Sequence, residues 1–128
     1  MHKAILIMLL AVVSSSAMAE WIEVAKDKEE TFTAYADPAT IRKTNNIVNM
    51  WVLIDYKTVQ MNASEPYRSK LGVRKYDCKE KQNTAPIKTL HSMNMGVGKY
   101  IGIIGSRSWL PVPSDTITEL FWKLACGK

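Results

Sequence analysis

The chain has 128 residues, of which 47% are hydrophobic and 23% charged, and its 17 lysines and arginines against 12 acidic residues give a formal net charge of +5. This length suits one small domain with a single core and is too short for two. The sequence contains no internal repeat, low-complexity stretch or linker, which excludes a repeat array.

Residues 1–19 read as a cleavable secretory signal. A short basic start at His2 and Lys3 precedes an apolar run, and small residues of the A-x-A type at 17–19 close the segment. The apolar run has about ten residues, well short of the roughly 20 that a membrane span requires. We therefore expect an exported domain over residues 20–128, with no transmembrane segment, in the periplasm or at the cell surface.

Glu20 follows the expected cleavage point, where a bacterial lipid anchor would need a cysteine. The sequence therefore predicts a domain that is soluble after cleavage and has no lipidation cysteine. Without Lys3, the 17 basic residues become 16 against 12 acidic ones, a formal net charge of +4. In an exported protein this balance argues against nucleic acid and for anionic envelope or matrix surfaces, with ordinary solubility charge as an equal alternative.

The apolar pattern after residue 20 is mostly of period two, which predicts antiparallel strands. Six short strands in a meander are expected at residues 21–25, 31–36, 47–56, 71–81, 87–93 and 97–104. Asp37-Pro38 and Thr44-Asn45-Asn46 supply turn chemistry. Residues 39–43 between them form either a short turn of helix or a bend.

Two strands have informative patterns. Residues 47–56 are apolar on one whole face and partly on the other, which predicts a central strand. In the next strand the apolar positions change from odd, at Leu71 and Val73, to even, at Tyr76 and Cys78. One extra residue would restore the alternation, so we predict a β-bulge between Val73 and Tyr76.

The last segment has helical spacing, with an expected apolar stripe at Ile117, Leu120, Phe121 and Leu124. Ser114 or Thr116 can cap its start, the latter with Glu119 as a capping box, and Gly127 can end it. On a helical wheel Cys126 lies nearly opposite the stripe. The helix therefore either frays before Cys126 or is covered on two sides.

Cys78 and Cys126 are the two cysteines of the chain. Export and an even count favour one structural disulfide over a metal site or a reactive thiol. The separation of 48 residues makes this bond worth roughly 4 kcal/mol on a chain-entropy estimate. The bond would fasten the end of the helix to the sheet.

Catalytic groups are few after residue 20. His91 is the one histidine there, and a lone histidine on a strand is usually an ordinary surface or packing residue. It supplies no zinc-ligand cluster, and the spacing of Asp37, Asp55, Glu65 and Asp77 brings no two carboxylates together. We expect no enzymatic activity, no metal and no cofactor.

The strongest candidate for binding is a basic segment at residues 68–81. Two acidic residues oppose its six cations, which are Arg68, Lys70, Arg74, Lys75, Lys79 and Lys81. Clustered cations on a strand can engage sulfate, phosphate or acidic side chains, with strong salt sensitivity. The alternative is that these charges solvate the outer side of the sheet and protect an edge.

Several segments after residue 20 share their order and their cysteine positions with one known family. They cover residues 20–24, 35–42, 51–57, 66–70, 76–78 and 120–128, and include Trp-Lys-Leu-Ala-Cys-Gly-Lys at 122–128. On these segments the sequence resembles the surface-adhesin E family. The resemblance implies an α+β fold, with an antiparallel sheet of about six strands and a C-terminal helix tied to it by a disulfide. This agrees with the pattern of the residues.

For function, the resemblance implies an adhesin that engages host extracellular-matrix or serum proteins such as vitronectin, laminin and plasminogen. The family's vitronectin-binding segment is basic, and its matching cations here are Arg68 and Arg74. The family's namesake is a lipoprotein, whereas Glu20 stands at the anchor position here. A periplasmic envelope-maintenance or inhibitor protein that binds an acidic partner through the same segment is therefore the alternative. An exposed edge strand would also offer a route to a homodimer.

Overall fold

The computed structural model describes residues 20–128, which form one antiparallel sheet and a C-terminal helix; the predicted signal at residues 1–19 lies outside them. The six strands pair in chain order, β1-β2-β3-β4-β5-β6. The elements are β1 (Ile22–Lys26), β2 (Phe32–Thr44), β3 (Ile47–Asn62), β4 (Glu65–Asp77), β5 (Gln82–His91), a 3₁₀ turn (Asn94–Gly96), β6 (Tyr100–Pro111) and α1 (Ile117–Cys126). The predicted fold class and meander are confirmed.

The predicted Asn45 turn connects β2 to β3. Thr44 pairs with Ile47, so Asn45 and Asn46 form a two-residue loop, and Asn45 adopts a φ of 56°. Asparagine tolerates this left-handed conformation better than most residues, and two-residue hairpin loops often require it.

The segment after Asp37 is neither a chain reversal nor a helical turn. The chain remains in β2, and a bulge lies between Asp37, which pairs with Trp51, and Arg42, which pairs with Asn49. The Thr40 hydroxyl accepts a hydrogen bond from the Trp51 amide at 3.0 Å, replacing a backbone acceptor. Of the two alternatives for residues 39–43, the bend is therefore the one present.

The boundaries of β4 and β5 differ from the prediction. Residues 78–81, expected in a strand, form the turn from β4 to β5. The Asp77 carboxylate accepts hydrogen bonds there from the amides of Lys79 and Glu80, at 3.0 and 2.9 Å. Aspartate competes for nearby amides in this way and favours a turn over a continued strand.

A bulge lies near the predicted position, in the pairing of β4 with β5, but the predicted extra residue in β4 is wrong, because β4 keeps a regular register with β3 from Val73 to Tyr76. Val73 pairs with Ile87, but Lys75 pairs with Thr84. The extra residue therefore belongs to β5, where Pro86 has no amide hydrogen to donate.

The core lies between α1 and one side of β2, β3 and β4. Its buried residues are Ala34, Ala36, Val48, Met50, Val52, Tyr76, Val112, Phe121, Trp122 and Ala125. The predicted helix stripe is rotated, because Leu120 is 46% exposed while Trp122 is only 7% exposed. The Trp122 indole donates a hydrogen bond to the Asp77 carbonyl at 2.9 Å, which fixes its side of the helix against β4.

Both ends of α1 are capped. The Thr116 hydroxyl accepts a hydrogen bond from the Glu119 amide at 3.2 Å, and Gly127 takes the left-handed conformation, with a φ of 69°, at the other end. The predicted Cys78–Cys126 disulfide is present, with a Cα–Cα distance of 5.7 Å. The helix continues to Cys126, so it does not fray, and coverage on two sides is not needed either: the buried stripe includes Trp122, one turn before Cys126, which brings Cys126 against the core.

Candidate binding surface

The pairing register assigns the cations of β4 to the two faces of the sheet. Directly opposite residues in an antiparallel pair project from the same face. Met50 and Ile54 belong to the side covered by α1, which we call the helix face. Arg74 is opposite Met50 and Lys70 is opposite Ile54, so both cations project from the helix face.

The next strand adds a third cation to the same face. Val52 of the core is opposite Gly72, and Gly72 is opposite Lys88 on β5. Lys88 therefore projects between Lys70 and Arg74, from the part of the helix face that α1 leaves uncovered, because the helix packs mainly over β1 to β4. We call Lys70, Arg74 and Lys88 the basic cluster.

Gly72 leaves the middle of the basic cluster without a side chain. A Cβ atom at this position would lie 2.3 Å from the Ile87 carbonyl oxygen and 3.0 Å from the Lys88 Cα. Only glycine permits this close approach of β5. The three cations consequently surround a position at which the β5 backbone, and no side chain of β4, occupies the space.

Neutral groups hold two members of the cluster. The Arg74 guanidinium donates a hydrogen bond to the Asn83 side-chain oxygen at 2.9 Å, and the Lys70 ammonium lies 5.4 Å from the centre of the Tyr56 ring. Among residues 20–128, no carboxylate forms an ion pair with Lys70, Arg74 or Lys88. The cluster thus has uncompensated positive charge.

Burial and mutual repulsion change the pKa values of two lysines of the basic cluster. Burial, followed by the charges of Lys70 and Arg74, lowers the pKa of Lys88 to about 8. Burial also lowers the pKa of Lys70, and Arg74 adds to the effect while Tyr67 opposes it. An anion placed among the three groups would offset their repulsion and raise the pKa values of Lys70 and Lys88.

A depression of about 300 Å³ adjoins the cluster, and its lining includes Arg74, Asn83, Lys88, Ser106 and Ser108. The hydroxyl and amide groups there offer neutral donors beside the two cations. In the core, the fully buried Tyr76 hydroxyl has no hydrogen-bond partner among residues 20–128. Burial raises the pKa of Tyr76, and the nearby Arg74 charge opposes this rise.

The other predicted cations occupy different places. Lys75 projects from the opposite side of the sheet, which we call the outer face, because it pairs with Asn49 and Thr84. The Lys81 ammonium contacts the Glu119 carboxylate at 2.6 Å and lies 5.2 Å from the centre of the Trp122 ring, so it fastens α1. Lys79 is exposed in the turn. Arg68 shares the side of Lys70 by strand alternation.

Lys88 and Asn83 are two residues of this surface that were not predicted from the sequence. Both lie on β5, outside the basic segment, and only the β4–β5 register brings them beside Arg74. The signal that could have found Lys88 is its position near the middle of the next strand of a meander.

The candidate catalytic groups do not converge. The His91 ring nitrogen lies 2.8 Å from the Thr89 hydroxyl, and no group of three metal-binding side chains occurs in residues 20–128. The Asp55 carboxylate accepts hydrogen bonds from the Asn94 side chain at 3.0 Å and the Met95 amide at 2.8 Å, which anchors the 3₁₀ turn. Within the same residues, no helix is long and apolar enough to cross a membrane.

Comparison with known proteins points to one family. The family model described as surface-adhesin protein E matches residues 21–127, while no curated protein matches the chain. A structure of Haemophilus influenzae protein E, crystal form II, has 15% identity and a TM-score of 0.60 and covers 85% of this chain and 97% of its own. A selenomethionine form of that protein has 15% identity and a TM-score of 0.61, covering 84% and 85%. At these identities the likeness shows a shared fold.

Proposed function

Because this chain belongs to the surface-adhesin protein E family, we propose that it is an exported, non-enzymatic adhesin that binds an acidic segment of a protein partner. Host extracellular-matrix and serum proteins are the proposed partners. The observation that carries the proposal is the basic cluster, in which three half-buried cations have no carboxylate partner among the described residues. A fold rarely accumulates such charge without compensation, since burying a charge is costly.

The geometry favours carboxylates presented by an extended or loop segment. The Arg74 guanidinium can donate two parallel hydrogen bonds to one carboxylate, and the ammonium groups of the two lysines act as point charges beside it. Because residue 72 is glycine, no side chain of β4 projects between Lys70 and Arg74. Each exposed contact contributes modestly and is screened by salt, so affinity depends on several contacts acting together.

The test is a pair of charge-removing variants. K70M/K88M removes two charges of the basic cluster while keeping the apolar stems, and K26M/K99M removes the same charge from exposed sites elsewhere. We expect K70M/K88M to weaken binding to immobilised vitronectin, laminin or plasminogen by about tenfold. The control should bind as the parent does, and added salt should weaken parent binding steeply.

The melting temperature separates loss of binding from loss of folding. K70M/K88M should melt at the parent temperature or above it, because the lost charges repel each other and Arg74. Equal binding by K70M/K88M and K26M/K99M would refute the role of the cluster. Failure of all three host proteins to bind would refute the host-matrix assignment.

The second candidate is a periplasmic envelope or inhibitor protein that uses the same cluster on an acidic partner. The same uncompensated cations, without a carboxylate partner among residues 20–128, support it. Protease added to intact cells distinguishes the two, because a surface adhesin is digested. A periplasmic domain is digested only after the outer membrane has been permeabilised.

A further inference from the structure

An apolar groove crosses the outer face of the sheet, on the side opposite α1. It has a volume of about 580 Å³, and its apolar lining includes Trp51, Leu71, Val73, Ile87 and Trp109. Trp51 is 42% exposed, Trp109 39% and Ile87 54%. Two tryptophans and an isoleucine left this open on one side of a sheet indicate a surface that binds something apolar.

The groove is cationic at one end only. Leu71, Val73 and Lys75 alternate along β4 on the outer face and cover about 13 Å. Arg107 of β6 lines the same groove as Lys75. Neither cation has a carboxylate partner among residues 20–128. The lining therefore changes from apolar at Leu71 to cationic at Lys75.

The size of the groove matches a small molecule better than a protein segment. Small-molecule pockets usually have volumes of roughly 300 to 1,000 Å³, with apolar and aromatic linings and a few polar groups that fix orientation. The α1 helix covers the other face and cannot fill this groove. A ligand that matches the groove has one anionic end and an apolar body about as long as the distance from Leu71 to Lys75, which is about 13 Å.

We propose that this groove binds an elongated amphipathic anion, with its alkyl chain between Trp51 and Trp109 and its anionic head at Lys75 and Arg107. Fatty carboxylates and single-chain alkyl sulfates or phosphates share this chemistry. The site is separate from the basic cluster, which lies on the helix face. It would give an exported domain a second ligand of a different class.

Decanoate is the probe for this test, with decanol as its uncharged counterpart. Titrating the exported protein with decanoate below its aggregation concentration should show one site by calorimetry. It should also change the fluorescence of the groove tryptophans. Octanoate should bind more weakly, by about two- to fourfold for each methylene removed, and decanol should bind at least tenfold more weakly than decanoate.

Variants assign the binding to the groove. K75M/R107M should weaken decanoate binding by about tenfold, while K26M/K99M, with the same charge change, should have no effect. I87S should also weaken binding, whereas L120S removes an exposed leucine from α1 and serves as its control. These side chains are surface residues, and a thermal melt of each variant verifies that it is folded.

Three results would overturn the proposal. The first is absence of decanoate binding to the parent protein. The second is equal binding by K75M/R107M and K26M/K99M, since this would place the ligand elsewhere. The third is a parent dimer that I87S converts to a monomer without any decanoate binding, because a second copy would then occupy the groove.

Discussion

At the scale of single residues, Lys88 is the member of the basic cluster whose charged form is most disfavoured by its surroundings. Its ammonium is half-buried beside two other cations, and the fold gives it no carboxylate among residues 20–128. A residue selected for stability alone would be apolar here, because Leu90 on the same strand and face is almost fully buried. The charge at Lys88 therefore argues for binding rather than packing.

K88M should stabilise the protein at neutral pH. The pKa of Lys88 is lowered from 10.5 to about 8 on folding, so the unfolded state binds more protons and the parent becomes more stable as pH rises between these values. The variant has no such group, and its advantage should be largest below pH 8. After allowance for solvent screening we expect about 1 kcal/mol, or on the order of 5 °C in melting temperature.

Thermal melts of parent and K88M at neutral pH and near pH 10.5 check this prediction. The difference should be largest at neutral pH and should diminish at the higher pH. K99M, which alters an exposed lysine, is the control and should match the parent throughout. A destabilised K88M at neutral pH would show that the cluster is compensated by an interaction other than an ion pair.

At the scale of elements, α1 depends on attachments to the turn after β4. The disulfide, the Trp122 hydrogen bond to Asp77 and the Lys81–Glu119 ion pair all join the helix to residues 77–81. The hydrogen bond that the Glu119 carboxylate accepts from Lys81 lowers the pKa of Glu119. The hydrogen bond from the Asp115 amide and the positive charges of Lys81 and Lys123 lower it further. This carboxylate therefore favours the docked helix at neutral pH and ceases to do so as pH falls through its folded pKa.

Loss of the disulfide should release this helix. C78S/C126S should lower the free energy of unfolding by roughly 4 kcal/mol, because the cross-link closes a long loop in the unfolded chain. The parent in dithiothreitol should melt at the temperature of the double variant, and the double variant should not respond to the reductant. An unchanged melt after verified reduction would show that core packing alone holds α1.

At the scale of the whole molecule, alternation of apolar residues was sufficient to predict six strands, their order and the helix. Local patterns could not predict the bulge at Asp37–Arg42, where the Thr40 hydroxyl replaces a backbone acceptor. They also misplaced the helix stripe, because Trp122, whose indole donates a hydrogen bond to β4, is buried beside Phe121 while Leu120 is exposed.

The binding surface was less predictable than the fold because it depends on register between strands. A contiguous basic segment suggested one patch, but alternation sends Lys75 to the outer face while Arg74 remains on the helix face. Lys88 joins the cluster from the next strand through its pairing with Gly72. Sequence proximity predicted which strand is basic, and only the sheet determines which cations act together.

The two proposed sites lie on opposite faces of one sheet, and this arrangement predicts that they act independently. Val73 and Lys75 belong to the groove while Arg74 belongs to the cluster, so the sites share β4 and β5 but no cation, and Thr84 alone lines both the groove and the depression beside the cluster. Energetic effects at sites without shared partners usually add within about 0.5 kcal/mol, a factor of roughly two in affinity. Saturating decanoate should therefore leave binding of an oligoglutamate peptide to the basic cluster unchanged within that factor.

The experiment compares one titration with the peptide in the presence of decanoate and one in its absence. K75M/R107M, whose groove should not bind decanoate, is the control. A larger change that disappears in the control would mean that β4 shifts as a unit, and one ligand would then regulate the other.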